Sequence, residues 1–232
     1  PLTNSKAYKK YYSRNPIQVV HGPLVGAVTE NETSIWLRTA KASRVKIVAV
    51  AIDGNAGSSI GRTNTYADGN YVGVVQLANL VPDTEYRYAI SIDAVELAAN
   101  SEYAFTTYPV KGTGTEFKIG FGGGGGFTPQ YEYMWNTISE RNLDAMLLLG
   151  DNVYIDMPQL PGAFHDYTYY RLQSRPEFRG MISHTPIFTI WDDHDSGTDD
   201  VWMGPFKDKP EWKKPLLDHF KSNWMNPPAG DE

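Results

Sequence analysis

The chain contains no cysteine and no long apolar run, and acidic side chains outnumber basic ones. The absence of cysteine excludes a disulfide framework, a thiolate metal site and a cysteine nucleophile. The longest apolar stretches, such as Ile47–Ile52, are far shorter than the roughly 20 residues that span a bilayer, so we expect no transmembrane segment. The 27 acidic and 21 basic residues give a formal charge of −6, which argues against nucleic acid or an anionic membrane as the main partner.

The 232 residues do contain enough apolar side chain for a packed core. Hydrophobic residues make up 41% of the chain and aromatic residues 13%, which excludes global disorder. The length predicts one large domain or two smaller ones. No charged-then-apolar signal segment follows Pro1, and this pattern fits both an exported protein without its leader and a cytoplasmic one.

Residues 17–108 have the pattern of an antiparallel β-sandwich. Short runs rich in Val, Ile, Tyr and Thr alternate with Gly, Asn and Asp turns at the roughly 8–12-residue spacing of such folds. The predicted strands are Val25–Val28, Ser34–Thr39, Arg44–Ile52, Tyr71–Leu77, Glu85–Ser91 and Glu102–Thr107. The glycine-rich stretch 53–70 is interpreted as a long turn or loop. The spacing of Leu80, Pro82 and Tyr86 predicts a tyrosine corner, and with it a fibronectin-III-like or immunoglobulin-like sandwich.

Residues 109–116 are predicted to form a linker, after which the pattern changes. In 117–232, continuous apolar segments are separated by helix-like segments. The apolar segments are Phe117–Phe121, Leu143–Leu149 and Pro186–Trp191. This alternation predicts a parallel sheet that is covered on both faces. We therefore predict an α+β two-domain fold, a β-sandwich followed by an α/β domain, with residues 1–16 as an N-terminal extension.

Helices are predicted on both sides of these strands. Thr128 is expected to be the N-cap of a helix with Pro129 in its first turn. The apolar face of that helix follows helical spacing in Tyr131, Met134, Trp135 and Ile138. Residues 167–178 form a second helix-like region. A later amphipathic helix carries Leu216, Leu217, Phe220 and Trp224.

Each predicted parallel strand ends in an unusual segment. The first ends in the glycine run Gly122–Gly126. The second ends in Gly-Asp-Asn-Val-Tyr-Ile-Asp at 150–156, and the third in Trp-Asp-Asp-His-Asp at 191–195. Because ligands bind outside the carboxyl ends of strands in open α/β sheets, we expect the three ends to face one crevice.

The second and third segments concentrate carboxylate, phenol and imidazole groups, which suit hard or borderline cations. Asp151, Tyr154 and Asp193 are candidate metal ligands, and Asp151 could bridge two ions with its two oxygens. The competing interpretation is that the carboxylates cap turns. That interpretation is favoured for four acids taken singly, Asp156, Asp195, Asp199 and Asp200.

The glycine run itself has two open interpretations. Its backbone N–H groups could cradle a phosphate ahead of a helix N-terminus, or its glycines could allow close backbone packing. The run lacks the lysine and Ser/Thr of a P-loop. Among the other polar residues, His165 is singled out as a candidate. Arg171 and Arg175 could reach an anionic substrate, although a solvated helix face is the favoured interpretation for both.

Five segments have the pattern of one known family: Gly-Pro-Leu-Val-Gly at 22–26, Ser-Ile-Trp-Leu-Arg-Thr at 34–39, Phe-Lys-Ile-Gly-Phe-Gly at 117–122, Leu-Leu-Gly-Asp-Asn-Val-Tyr at 148–154 and Trp-Asp-Asp-His-Asp at 191–195. In these segments the chain resembles the alkaline phosphatase D (PhoD-like) family of metallophosphatases. The resemblance implies a calcineurin-like metallophosphoesterase domain after the sandwich, and a dinuclear site of iron with calcium or another divalent cation. It also implies a periplasmic or secreted enzyme that hydrolyses small phosphodiesters or phosphomonoesters with metal-activated water.

By this resemblance, Asp151 is a bridging ligand and Tyr154 a phenolate ligand of the trivalent metal. Asp193 ligates the second metal, and His194 assists the phosphoryl group or the leaving group. Two features depart from the family. Glycines of the run stand where the family has a cysteine ligand, which leaves the iron site one ligand short. The family's catalytic domain also continues past the third strand, so the α/β domain here is predicted to be incomplete, with an open edge and exposed apolar faces.

These departures favour a second hypothesis from another class. The chain would be a non-catalytic structural or assembly protein derived from a phosphatase scaffold, packing as a homo-oligomer or against a missing C-terminal segment. The retained residues Asp151, Tyr154, Asp193 and His194 favour the enzyme. A carbohydrate-binding sandwich is a weaker third hypothesis, since aromatic residues are more often part of a core. The sequence assigns no substrate-binding residue.

Overall fold

A computed structural model describes residues 5–12, 17–54, 57–126, 128–202, 204–206 and 208–227. Of the predicted N-terminal extension, residues 1–4 and 13–16 lie outside the described residues. Lys6–Tyr12 form helix α1. Within the described ranges, no helix combines the length and the apolar character needed to cross a membrane.

Two antiparallel sheets pack face to face in the N-terminal part of the chain. Their strands are β1 Val19–Gly26, β2 Thr33–Thr39, β3 Ser43–Ala51, β4 Ser58–Thr65, β5 Val72–Leu77, β6 Glu85–Ile92, β7 Val95–Glu96 and β8 Ala104–Thr106. The first sheet has the order β1-β2-β5, and the second β4-β3-β6-β7, with β8 also paired to β6. Apolar side chains from both sheets, such as Ile35 and Ile47, form one buried core. The predicted tyrosine corner is present, because the Val81 N–H donates to the Tyr86 hydroxyl at 2.9 Å.

The predicted long loop over 53–70 is wrong, because this stretch contains β4. The usual alternation is inverted in this strand: Ser59 and Thr65 are buried and Ile60 is exposed. Gly61 lies where the two sheets come closest, and a Cβ there would be 2.3 Å from the Gln76 carbonyl oxygen. Small and polar residues therefore face the core, so the hydrophobic pattern of a strand is missing.

A three-stranded parallel sheet and five α-helices follow in the described part of the chain after residue 117. They are β9 Ile119–Gly122, α2 Met134–Ser139, β10 Ala145–Leu149, α3 Ala163–Gln173, α4 Pro176–Ile182, β11 Ile187–Ile190, α5 Asp193–Ser196 and α6 Lys213–Asn223. The sheet has the order β11-β10-β9, with both pairs parallel as predicted. Its core includes Leu24 and Trp36 from the outer face of β1 and β2. Strands β1 and β2 are therefore buried on both faces, whereas β5 keeps an exposed outer face, and the two parts of the chain share a core.

The helices differ from their predicted bounds in two places. A 3₁₀ turn at Pro129–Tyr131 precedes α2, so the predicted single helix is broken and Tyr131 is exposed. The Thr128 hydroxyl donates to the Gly126 carbonyl at 3.4 Å and makes no cap hydrogen bond. The region 167–178 belongs to two helices, because Pro176, at the start of α4, has no N–H to continue α3.

The prediction that the parallel sheet is covered on both faces is wrong for the residues that the structure describes. Ile119, Phe121, Leu149 and Ile190 project from one face, and their exposed fractions are 51%, 73%, 42% and 58%. We call this surface the open sheet face. The opposite face, with Met146 of β10, packs into the shared core. The exposed apolar face that the family resemblance implies is therefore present.

Arg38 is fully buried where the first sheet meets the helices. Its guanidinium donates to His21 Nδ1 at 2.7 Å, Gln173 Oε1 at 3.1 Å, Asn223 Oδ1 at 2.9 Å and the Asn70 carbonyl at 3.2 Å. All four acceptors are neutral groups when His21 carries no proton on Nδ1. Burial lowers the pKa of Arg38 to about 10, a value at which it stays charged at neutral pH.

Candidate metal centre

The ends of the three parallel strands meet, as expected from the sequence. The Gly124 N–H donates to the Gly150 carbonyl at 3.2 Å, which holds the glycine run against the end of β10. The Asn152 side chain donates to the Ile190 carbonyl at 2.8 Å, and the Ile155 N–H to the His194 carbonyl at 2.9 Å. Backbone and side-chain hydrogen bonds therefore join the loops after β10 and β11.

Asp195 is the centre of this junction, and 1% of its surface is exposed. Its Oδ1 accepts the N–H groups of Asn152 and Val153 at 2.9 and 3.1 Å. Its Oδ2 accepts the Asp192 N–H at 2.9 Å and the Asn152 side-chain amide at 3.2 Å. Burial raises the pKa of Asp195 to about 6, although these hydrogen bonds lower it. Its contacts match the turn-capping interpretation of this residue.

Backbone conformation fixes the position of Asp151. Gly150 has φ +97°, and a Cβ there would lie 2.6 Å from the Asp192 Cβ. Asp151 follows with φ +51°, a left-handed conformation that Asp and Asn tolerate better than most residues. The sharp turn directs the chain from the end of β10 toward the loop after β11.

Asp151, Asp193 and His194 lie together at this turn. Each offers a ligand atom within 4.8 Å of the others. Burial raises the pKa of Asp151, with Asp193 and Asp192 adding to the effect and His194 opposing it. Hydrogen bonds from the Asp200 and His194 N–H groups lower the pKa of Asp193, outweighing its burial. Of the sequence-predicted metal ligands, Asp151 and Asp193 are therefore adjacent, and the predicted catalytic His194 lies with them.

The chemistry of this cluster fits a cation. Asp151 Oδ1 is buried and has no hydrogen-bond partner among the described residues. A buried carboxylate oxygen without a partner is destabilising, and a bound cation would satisfy it. Carboxylate and imidazole donors suit hard and borderline ions. The donor set therefore fits the metal expected here, without thiolate.

His194 is held by a second set of acids. Its Nδ1 lies 2.5 Å from Asp156 Oδ1, and its Nε2 lies 3.4 Å from Asp199 Oδ1. The hydrogen bond with Asp156 raises the pKa of His194. Asp156, interpreted singly as a turn residue, is thus the group that orients this imidazole. The sequence offers only a weak signal for it, a carboxylate five residues after Asp151 in the same loop.

Tyr154 packs beside the cluster. Its ring lies 4.3 Å from the His194 ring, centroid to centroid. A Cβ at Gly126 would come within 2.8 Å of the Tyr154 ring, so this glycine makes room for the phenol. Burial raises the pKa of Tyr154, and Asp151 is the first of several acids that raise it further. A phenolate at this position therefore needs a cation beside it.

The other candidates from the sequence have structural contacts. His165 is buried; its Nδ1 accepts the Gly162 N–H at 3.1 Å, and its Nε2 lies 3.0 Å from the Met157 carbonyl. The Arg175 guanidinium lies 3.6 Å from Glu177, and Arg171 lies over the Tyr167 ring. These contacts belong to the helical region 162–177 and match the structural interpretation of the three residues.

Comparisons with known proteins show which solved folds this chain is similar to. Residues 17–110 match the model of a domain of unknown function, DUF7800. No curated protein sequence matches the chain. A structure of PhoD is similar with a TM-score of 0.69 and 15% identity, over 89% of this chain and 44% of that one. A structure of purple acid phosphatase PPD1 from yellow lupin (Lupinus luteus) is similar with a TM-score of 0.64 and 13% identity, over 90% of this chain and 42% of that one. The chain therefore has a fold similar to these two phosphatases and spans less than half of their length.

Proposed function

We propose that the chain carries the metal-binding part of a metal-dependent phosphoesterase that acts on small phosphodiesters or phosphomonoesters. The observation that carries the proposal is the unpartnered, buried Oδ1 of Asp151 beside Asp193 and His194. The similarity of the fold to two phosphatases supports the same reaction class. Export to the periplasm or outside the cell belongs to the proposal and rests on the family resemblance alone.

In this proposal Asp151 would be the ligand shared by two ions, Tyr154 would hold one of them as phenolate and Asp193 would hold the other. Iron with calcium or another divalent cation is the proposed pair, with the iron site lacking the family's cysteine. Such a pair supplies positive charge that neutralises phosphoryl oxygens and acidifies water. His194 is oriented by Asp156 through Nδ1, and its Nε2, which lies 3.4 Å from Asp199, would donate a proton to the leaving oxygen. Asp195 holds both loops in register around these groups.

The experiment is metal binding and turnover measured on the same samples. The folded chain, supplied with iron and calcium, is tested by mass spectrometry for bound metal and with aryl phosphate monoesters and diesters for hydrolysis. We expect Asp151→Asn to lose metal and turnover together. Asp68→Asn, which changes an exposed carboxylate in a sandwich turn, is the matched control and should change neither. A folded chain that binds no metal would contradict the proposal.

The open sheet face favours a second candidate function, a non-catalytic assembly protein. Contiguous exposed apolar surface typically marks an interaction site. If metal and turnover are absent and the chain forms oligomers that Ile190→Ser dissociates, this second function is the correct one.

A further inference from the structure

A pocket of about 260 Å³ opens beside Asp151, between α2 and the inner face of the parallel sheet. Its floor is formed by Met146 and Leu148 of β10, and its wall by Trp135 and Ile138 of α2. The glycine run closes the opposite side. We call this cavity the glycine pocket. The side chains that line it are apolar except for Asp151 and Asn152 at one end.

The glycine run contributes backbone and no side chains to this pocket. Among the described residues, a Cβ at Gly122 would meet nothing within 4 Å, and one at Gly125 would lie 3.9 Å from the Trp135 ring. Gly120, two residues earlier on the same strand, is different: a Cβ there would lie 2.5 Å from Leu143 Cδ1 and 2.8 Å from Met146 Sδ. Close packing therefore explains why residue 120 is a glycine. Gly122, in contrast, borders an open space.

The wall of the pocket is held in place. The Trp135 indole N–H donates to Glu132 Oε2 at 3.0 Å, and its ring packs edge-on against Phe178 with the centroids 4.9 Å apart. Glu132 Oε1 in turn accepts the Thr128 N–H at 3.2 Å. A rigid indole and two methionine side chains, Met134 and Met146, make a surface that favours an aromatic ring.

The size and polarity of the glycine pocket define the class of ligand that fits it. An engineered apolar cavity of about 150 Å³ binds benzene, so the glycine pocket has room for a larger ring. The polar end faces Asp151, whose cluster repels an anion unless a cation is bound. A molecule that fits both the apolar part and the polar end has an aromatic group for the pocket. It also has a phosphoryl group that binds the cation held at Asp151.

We propose that the glycine pocket binds the aromatic alcohol moiety of a phosphate ester, so that the substrate class is aryl or aryl-alkyl phosphate. The phosphoryl end of this inference rests on the proposed function, whereas the aromatic end rests on the pocket alone. The two parts can therefore fail separately.

The test uses 1-naphthol, which has the ring without the phosphate, and 1-naphthyl phosphate, with binding measured by calorimetry. Gly122→Leu places a side chain in the open space, and we expect it to weaken naphthol binding about tenfold or more, because the leucine occupies volume that the ring needs for its own apolar contacts. Gly114→Leu is the matched control, because a Cβ at Gly114 also meets nothing within 4 Å and the residue lies in the predicted linker. Ile138→Ala removes apolar contact from the wall without filling the pocket, so it should weaken naphthol binding less than Gly122→Leu does.

The outcomes separate the two proposals. Unchanged naphthol affinity in Gly122→Leu, or an equal loss in Gly114→Leu, would overturn the pocket. With metal present, naphthyl phosphate should bind more tightly than naphthol, and Asp151→Asn should remove that gain. If Gly122→Leu weakens naphthol binding but the phosphate group does not increase affinity, the aromatic binding site is confirmed and the phosphoesterase proposal is wrong.

Discussion

At the scale of single residues, the acids around the candidate centre have separate tasks. Asp151 keeps a buried oxygen without a partner, whereas all the acceptor bonds of Asp195 go to the two loops that carry the centre. Asp156 contacts His194. A carboxylate that accepts several N–H groups is a structural element, and its loss leaves buried donors unpaired.

Asp195→Asn tests this division. The amide places an NH₂ group against backbone N–H donors, so we expect the free energy of unfolding to fall by about 1–3 kcal/mol. Metal affinity should fall as well, because Asn152 and Asp192 flank the candidate ligands. Urea unfolding and metal titration measure both effects. Asp208→Asn, at an exposed carboxylate, is the control, and equal stability of the two variants would show that the Asp195 bonds contribute nothing.

The sequence predicted which residues come together at the ends of the strands. It was less informative about the roles of the single acids. Asp151 and His194 follow two neighbouring apolar strands, so the topology of a parallel sheet alone brings them to one edge. The pairing of Asp156 with His194 depends on the left-handed turns at Asp151 and Asp156. Residue spacing does not encode those turns, because Asp occurs in both ordinary and left-handed conformations.

At the scale of elements, β4 and the glycine run show opposite uses of glycine. In β4, Gly61 lets two sheets approach until a Cβ would touch the Gln76 carbonyl. In β9, Gly122 borders a space that no group fills in the part of the chain that the structure describes. Sequence patterns treat both as breaks in a strand, which is why β4 is taken for a loop and the pocket is missed. The apolar strands β10 and β11 are predicted well, since burial makes them continuous runs.

Gly61→Val is expected to destabilise the sandwich. The added methyl groups overlap Gln76 and Val75, and overpacking of this kind costs about 1–3 kcal/mol. Thermal unfolding followed by circular dichroism measures the loss. Gly69→Val provides the comparison, because a Cβ at Gly69 has 3.8 Å to its nearest neighbour, the Tyr66 carbonyl. Equal melting temperatures for the two variants would contradict the close approach of the sheets.

At the scale of the whole molecule, the buried Arg38 joins the first sheet to the helices. Its Nη1 donates to His21, whose Nε2 lies 3.0 Å from Ser174 Oγ. Because an arginine can only donate, the His21 Nδ1 must be unprotonated. Burial, and then Arg38 and Arg179, hold the pKa of His21 well below its ordinary value.

This arrangement predicts a loss of stability in acid. The unfolded chain takes up a proton on His21 near the ordinary pKa of about 6.5, whereas the folded chain does not. The stabilisation from neutral His21 is therefore complete above that pH and declines as the pH falls below it. His21→Gln keeps an acceptor for Arg38 and should flatten the pH dependence of unfolding between about pH 5 and 7. Burial also lowers the pKa of His184 and His219, so the measured quantity is the difference in slope between variant and parent.

If His21→Gln unfolds with the same pH dependence as the parent chain, the proton on His21 does not distinguish the folded and unfolded states. His184→Gln tests whether another buried histidine causes the effect. Its Nε2 lies 3.1 Å from Ser139 Oγ, away from Arg38.

The contacts of β2 with α6 have a consequence for how the chain is made. The Trp36 indole donates to the Ser222 carbonyl at 3.0 Å, across 186 positions in the sequence. Arg38 reaches Asn223 across 185. On a ribosome, the first sheet is therefore synthesised long before the helix that covers its outer face. Until that helix emerges, Trp36 and Arg38 lack these buried partners and remain exposed to water, so this part of the core forms only after residues 222 and 223 have been synthesised.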